Sequence, residues 1–268
     1  MSGDRAESAH VVCCLVTLPV PSRLHHVKTS VADYIAQTHP ERELLVVVNG
    51  GTEEGRRGLL DYVASVDRPD VRSLEIPGDL PLGHLRNIAL DHSEGLAYCQ
   101  WDDDDRQHPD RLARQVEAMT EGDFEASYLQ EVVQYVPALR SLYWTNWAAT
   151  EDRVHAGTLM MRLDMGLRFP PKARLGEDSG LAVEINARDK VARIAGQPHL
   201  MLYVTHSANS WGDEHHRMLI EKLAVSRGLL ARREAAIREG LRPFRFEAYP
   251  VEVRGANGVA FTIEAPSA

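Results

Sequence analysis

Apolar residues in this chain come in short unbroken runs, and the stretches between them carry helical spacing. Residues 11–18 form the first run, and 44–48, Leu-Leu-Val-Val-Val, form the strongest. The first reads as a buried strand, and the second, which does not alternate, as a strand buried on both faces, as in a parallel sheet. Residues 71–76 and 96–99 give a third and a fourth strand. Leu24, Val27, Val31 and Ile35 mark a first amphipathic helix behind the turn Pro19-Val20-Pro21-Ser22, with Ser22 as candidate cap. Leu59, Leu60, Val63 and Val66 mark a second. Leu82, Leu85 and Ile88, behind Pro81, mark a third that is expected to expose Arg86 and Asn87. Leu112, Val116 and Met119, behind Pro109, mark a fourth. Strand and helix thus alternate four times before residue 122. That predicts a doubly wound, Rossmann-like α/β half of nucleotide-binding type.

Beyond residue 122 the pattern changes. Residues 127–136 and 139–147 read as longer strands around Pro137-Ala138, and 157–161 as another apolar strand. A helix opens at Gly176-Glu177-Asp178-Ser179 and continues through Leu181, Ala182 and Ile185. Residues 191–195 and 200–204 read as strands. Leu219, Leu223 and Leu230 predict one long helix over 213–239. A hairpin over 244–263 follows, with its turn in Gly255-Ala256-Asn257-Gly258. The expected organisation is a disordered 1–9, one half at 10–121, a second half of the same domain at 122–212, and a helix-and-hairpin extension at 213–268. The tail residues Phe244, Phe246, Val251, Val253, Val259, Phe261 and Ile263 are too apolar for a free segment. They are expected to pack on the rest of the chain or to form a homodimer contact.

The fourth strand runs into Trp101-Asp102-Asp103-Asp104-Asp105. Carboxylates this close raise one another's pKa and repel. A divalent cation among them would remove that cost. Carboxylates at the C-terminal end of a strand lie where α/β sheets bind ligands. Hard oxygen ligands that leave part of the shell open suit Mg²⁺ or Mn²⁺ shared with phosphates. The plainer alternative is a solvated acidic turn that favours the next helix's positive end.

Composition narrows the choice. A chain of 268 residues, 44% hydrophobic, suits one large domain or a domain with an appendage. A net charge of −9 argues against a nucleic-acid partner, which needs a basic footprint. Cys13, Cys14 and Cys99 sit in apolar runs without metal-ligand spacing, which reads as free thiols in a reducing cytoplasm. No membrane span or signal peptide is recognised. No Gly-x-Gly-x-x-Gly follows the first strand and there is no P-loop, which argues against dinucleotide dehydrogenases and P-loop enzymes.

The order and spacing of the remaining motifs resemble the family-2 glycosyltransferases of the GT-A fold over residues 10–212. Thr17-Leu18-Pro19 matches the family's turn after strand one. Asn49-Gly50-Gly51-Thr52 stands where the family usually has Asp-Asp-Gly-Ser. Arg86-Asn87 matches the Arg-Asn ahead of the acidic motif. Asp102 to Asp105, with His108-Pro109-Asp110-Arg111-Leu112 and Gln115, matches Asp-x-Asp-Asp and its following Pro and Leu. Gly176-Glu177-Asp178 matches the acceptor-side Glu-Asp. His206 with Asn209 and Trp211 resembles a late His-containing stretch that some members use near the metal.

The resemblance implies a GT-A, doubly wound mixed sheet and transfer of a sugar from a nucleoside-diphosphate sugar to a hydroxyl acceptor, with inversion. It implies Mn²⁺ or Mg²⁺, held by Asp104 first and by others among Asp102, Asp105 and His206. Donor contacts fall on Pro19, Asn49, Arg86, Asp102, Asp103 and Asp104. Asp178 is the candidate general base, with Glu177 orienting it or holding the acceptor. Asn49 replaces the usual Asp, and its amide both donates and accepts, so the identity of the base stays open. Trp144 and Trp147 are candidates for stacking on an acceptor sugar, with core packing expected for at least one. The chemistry agrees: charge developing on a departing diphosphate needs a cation, and an acceptor hydroxyl needs a base. A nucleotidyltransferase would share strand-end aspartates, but Pro19-Val20-Pro21-Ser22-Arg23 is no Gly-rich triphosphate loop. A non-catalytic nucleotide-sugar-binding protein of the same fold is the third reading.

Overall fold

The computed structural model describes residues 10–206, 209 and 211–266. The tail expected to be disordered, 1–9, lies outside the described residues. The alternation is present: β1 (Val11–Thr17), α1 (Leu24–Ile35), β2 (Arg42–Asn49), α2 (Glu53–Ser65), β3 (Val71–Ile76), α3 (Leu82–Asp91) and β4 (Ala97–Gln100). β1 pairs in parallel with β2 and β4, and β2 with β3, so their C-terminal ends share one edge. Val11 to Leu15 and Leu44 to Val48 are fully buried, which is why neither run alternates.

Two turns on that edge are packed together by glycines. A Cβ at Gly51 or Gly55 would lie 2.2 Å from the Pro19 carbonyl, which instead accepts the Thr52 N–H at 3.0 Å. Thr52 also caps α2, accepting from the Gly55 N–H. Ser22 does not cap α1. Pro21–Arg23 form a 3-10 turn that runs into the helix, and Arg23 takes the cap position. The fixed φ of Pro21 starts the turning one residue before Ser22.

The chain divides into two units that interleave in sequence. The first comprises residues up to Asp105, with Pro109–Tyr128 and Ala156–Arg193. The second comprises Arg106–His108, Leu129–His155 and residues from Ile194 on. The remaining elements are β5 (Arg106–Gln107), α4 (Arg111–Glu121), β6 (Ala126–Leu129), β7 (Glu131–Val136), β8 (Ser141–Asn146), β9 (Met160–Arg162), α5 (Glu177–Asn186), β10 (Val191–Ile194) and β11 (Met201–Val204). After them come α6 (Asp213–Leu223), α7 (Arg227–Arg232), α8 (Glu234–Leu241), β12 (Val251–Gly255) and β13 (Gly258–Ile263). The first unit's sheet is mixed, in the order β10-β6-β9-β4-β1-β2-β3, with β9 antiparallel to β4 and β6. The second unit's sheet runs β13-β12-β8-β7-β11-β5. The strand expected over 127–136 is therefore two strands in two sheets. They part at Gln130, whose N–H donates to the Ile194 carbonyl and whose carbonyl accepts the Trp147 N–H.

The long helix expected over 213–239 is three helices. α6 stops at Ala224, which is extended (φ −64°, ψ 130°) and bridges Thr145 of β8. Ser226 then caps α7 by accepting from the Leu229 N–H, and Arg233 breaks α7 from α8. Leu219, Leu223 and Leu230 are all buried, so the apolar spacing survives the breaks and conceals them. The hairpin is confined to β12 and β13. Phe244 and Phe246 precede it and join Val251, Val253 and Phe261 in the second unit's core. Most of the apolar tail thus packs within the second unit, with Ile263 partly buried against it and Val259 exposed. Because β12 pairs in parallel with β8 inside the sheet, truncation after Arg242 should unfold this unit. Each buried Phe removed costs ~3–5 kcal/mol, well beyond what one unit can lose. A truncated protein that melts like the full chain would contradict this. No helix among the described residues is long and apolar enough to cross a membrane.

Candidate active site

The acidic run sits at the shared C-terminal edge of β1, β2 and β4. Register places Gln100 opposite Cys14, and the Trp101 N–H donates to the Cys14 carbonyl at 3.2 Å. Trp101 itself is fully buried, and its indole N–H donates to the Ser30 carbonyl of α1. Ser30 returns a hydroxyl to the Asp102 carbonyl at 3.1 Å. Below the run, the buried Arg111 lies over the Trp101 ring and donates to the Gln100 carbonyl and to Gln115. The backbone carrying the aspartates is therefore fixed from α1 and α4.

Their side chains are not equivalent. Asp102 accepts from Arg86 Nη2 at Oδ1 (3.0 Å) and from Gln100 Nε2 at Oδ2 (3.1 Å). Asp103 accepts from Thr17 Oγ1 and, through both oxygens, from Arg23 Nε and Nη2. Asp104 shares that Nη2 at 3.1 Å. The Asp103 side chain is 4% exposed, against 14% for Asp104 and 28% for Asp102. Asp103 is thus spent on the scaffold, while Asp102 and Asp104 keep a solvent-facing surface. Burial pushes the Asp103 carboxyl up, Asp104 adds to that, and Arg23 and Thr17 oppose it. Asp105 is buried.

Arg86, expected to be exposed, is 4% exposed. Helix α3 turns it inward, between Asp102 and Glu177, whose Oε1 accepts from its Nε at 3.0 Å. Its Nη1 is buried without a hydrogen bond among the described residues. The next residue holds the other wall. The Asn87 amide exchanges two hydrogen bonds of 2.9 Å with the backbone of Phe169, and Gly83 leaves room for the Pro170 carbonyl. The loop leading to α5 is so pinned to α3, and α5 begins at Glu177-Asp178. Glu177 is buried and Asp178 half-buried; Asp178 Oδ1 accepts the Ser179 N–H at 2.7 Å. Burial raises both carboxyl groups, and Arg86 opposes it. Arg86→Met should therefore destabilise the protein by ~3–5 kcal/mol, the usual cost of breaking a buried pair from one side. A melting curve that matches the wild type would contradict this.

Asn49 is buried at the end of β2. Its Nδ2 donates to the Ile76 and Gly78 carbonyls and its Oδ1 accepts the Leu80 N–H. The amide hydrogens are committed to the end of β3 and the loop after it, a clamp that a carboxylate could not form. Pro19 meets the Asn-Gly-Gly-Thr turn through its carbonyl. The other sequence candidates lie in the second unit. Trp144 is core. Trp147 is half-buried, set edge-on to His155 at 4.6 Å, with its indole N–H on Thr145. The backbone N–H of His206 is held by Asn209 Oδ1. The residues that sequence reading missed are Arg23 and Thr17. Thr17 was visible only as part of the turn after the first strand, and Arg23 only by its position at the end of the following 3-10 turn.

No group of three or more His, Cys, Asp or Glu among the described residues is arranged to hold a metal ion by itself. The donor set that is present, two partly exposed carboxylates at Asp102 and Asp104, suits a hard cation completed by phosphate oxygens and water.

A mixed sheet whose parallel strands β1, β2 and β4 carry the acidic run on their C-terminal edge is the architecture of the GT-A fold. Residues 16–153 match the model of glycosyl transferase family 2, and the chain belongs to that family. Over 193 residues it is 22% identical to an uncharacterized glycosyltransferase of Rickettsia felis, covering 67% of this chain and 31% of that protein. The chain thus spans about a third of that relative's length. Among solved structures, it is similar to S. aureus TarS 1–349 in complex with UDP-GlcNAc, with a TM-score of 0.58 and 14% identity over 80% of this chain and 65% of that one. It is also similar to the mannosyltransferase PcManGT of Pyrobaculum calidifontis in complex with GDP-Man and Mn²⁺, with a TM-score of 0.57 and 18% identity over 88% and 67%.

Proposed function

We propose that this chain transfers a sugar from a nucleoside-diphosphate sugar to a hydroxyl acceptor, with inversion, and that Asp178 is the general base. The observation that carries the reading is the division of labour in the acidic cluster. Asp102 and Asp104 keep partly exposed side chains at the sheet edge, and Arg86 and Glu177 hold the start of α5, with Asp178, beside them. Mn²⁺ or Mg²⁺, held by Asp104 with Asp102 in support, would neutralise charge on the departing diphosphate. Asp178 takes the acceptor's proton as its oxygen bonds to the anomeric carbon, while the bond to the diphosphate breaks and its electron pair leaves with the phosphate. Glu177 and Arg86 position that carboxylate. The neighbours bound to UDP-GlcNAc and to GDP-Man with Mn²⁺ support this class of donor. The three cysteines, free and buried, fit a reducing cytoplasm. The test is incubation with Mn²⁺ and a panel of UDP- and GDP-sugars, followed for slow donor hydrolysis. Hydrolysis of one donor class is the expected result. Binding without turnover of any donor would favour a non-catalytic relative of the same fold.

A further inference from the structure

We propose that Arg23 is a built-in counter-cation of the donor site: it holds Asp104 when no diphosphate is bound and releases it to the metal when one arrives. This rests on the reading of the Asp102–Asp104 edge as a metal-diphosphate site. Arg23 comes from the 3-10 turn Pro21–Arg23, far in sequence from the aspartates it meets. Its grip on Asp103 is two-pronged, through Nε and Nη2, and the Thr17 hydroxyl completes that buried carboxylate. Its grip on Asp104 is a single contact, from an Nη2 already shared with Asp103. The guanidinium is therefore anchored by one aspartate and only leans on the other.

The electrostatic consequence follows from the charges. With neither metal nor nucleotide, Arg23 supplies the positive charge that adjacent carboxylates require. A dication arriving alone must take Asp104 from Nη2 and then sit beside a like charge. A diphosphate reverses the sign of its neighbourhood, since its oxygens can accept the N–H that Asp104 gives up. The Arg23 side chain is still 22% exposed, which leaves it within reach of such a ligand. Metal and nucleotide should then favour each other by more than their direct contact alone, and each should gain equally from the other.

The test is calorimetric titration of Mn²⁺ into the wild type and Arg23→Gln, with and without UDP or GDP. Arg23→Gln should bind Mn²⁺ alone about tenfold more tightly. The factor by which nucleotide tightens Mn²⁺ should fall by a similar amount from a wild-type value within the usual ~5–150-fold. A purely structural Arg23 would lower the melting temperature and leave that factor unchanged, and this result overturns the inference. If Arg23→Gln does not fold, Arg23→Lys serves instead. Its ammonium keeps the charge but lacks the planar fork, so Mn²⁺ alone should bind more tightly than to the wild type but by less than tenfold, and an unchanged affinity overturns the inference. Wild-type protein that binds neither Mn²⁺ nor nucleotide overturns the functional reading together with the inference. Normal wild-type binding with an unchanged variant overturns the inference alone.

Discussion

Asp104→Asn is expected to fold as the wild type does and to lose transfer by at least ~10²–10³-fold, the usual effect of removing one group that stabilises developing charge. The structural part of the expectation rests on Asp103. Asp104 gives Arg23 one contact, whereas Asp103 holds it with two and is itself held by Thr17. Neutralising Asp104 also removes a charge that raises the Asp103 carboxyl. The melting temperature should therefore stay within about 3 °C of the wild type, a shift that corresponds to roughly 1 kcal/mol or less in a chain of this size. Mn²⁺ binding in the presence of UDP or GDP should be lost with turnover. Loss of turnover with metal and nucleotide binding intact would place the metal on another aspartate of the run.

Asp178→Asn should lower the transfer rate by ~10²–10⁴-fold, the usual range for general-base assistance, while leaving Mn²⁺ and nucleotide affinity nearly unchanged. The helix start provides a backbone N–H to its carboxylate, which alone would hold the pKa low. Burial outweighs it, so the folded pKa is raised above the ordinary carboxylate value. The base acts when deprotonated. Activity should therefore rise with pH through that raised value, placing the acid limb at a higher pH than an exposed Asp would give, and Asp178→Asn should abolish the limb. Glu177→Gln makes the informative partner. Glu177 is buried and accepts from Arg86; Gln keeps an accepting oxygen but loses the charge. It should melt lower yet retain most of the turnover. If Glu177→Gln is the inactive variant and Asp178→Asn is active but less stable, the base is Glu177.

Both experiments turn on which carboxylate oxygens remain available, and the sequence did not reveal that. It led to the expectation that a divalent cation would relieve the repulsion among four adjacent aspartates, with a solvated acidic turn as the alternative. The structure shows protein cations already there, Arg86 on Asp102 and Arg23 on Asp103 and Asp104. Arg86 was legible as a site residue from its Arg-Asn setting but was expected on an exposed helix face. Asn49 was legible as a strand-end residue, but its commitment to the end of β3 and the loop after it was not.

By itself the sequence determined the alternation of strands and helices, the strand-end position of the acidic run and the start of α5 at Glu177-Asp178. These follow from local rules of apolar period, turn residues and caps, which act over a few positions. The tertiary structure alone decided the division into two sheets, the breaking of one apolar stripe into α6, α7 and α8, and the roles within the cluster. The break after α6 depends on Thr145 and Trp144 of β8, which receive residues 224 and 225. The roles depend on charge pairs between positions 80 and 91 residues apart, Arg23 with Asp103 and Arg86 with Glu177. A charge in water is indifferent to such distant partners. Burial makes them compulsory, and burial is a property of the fold.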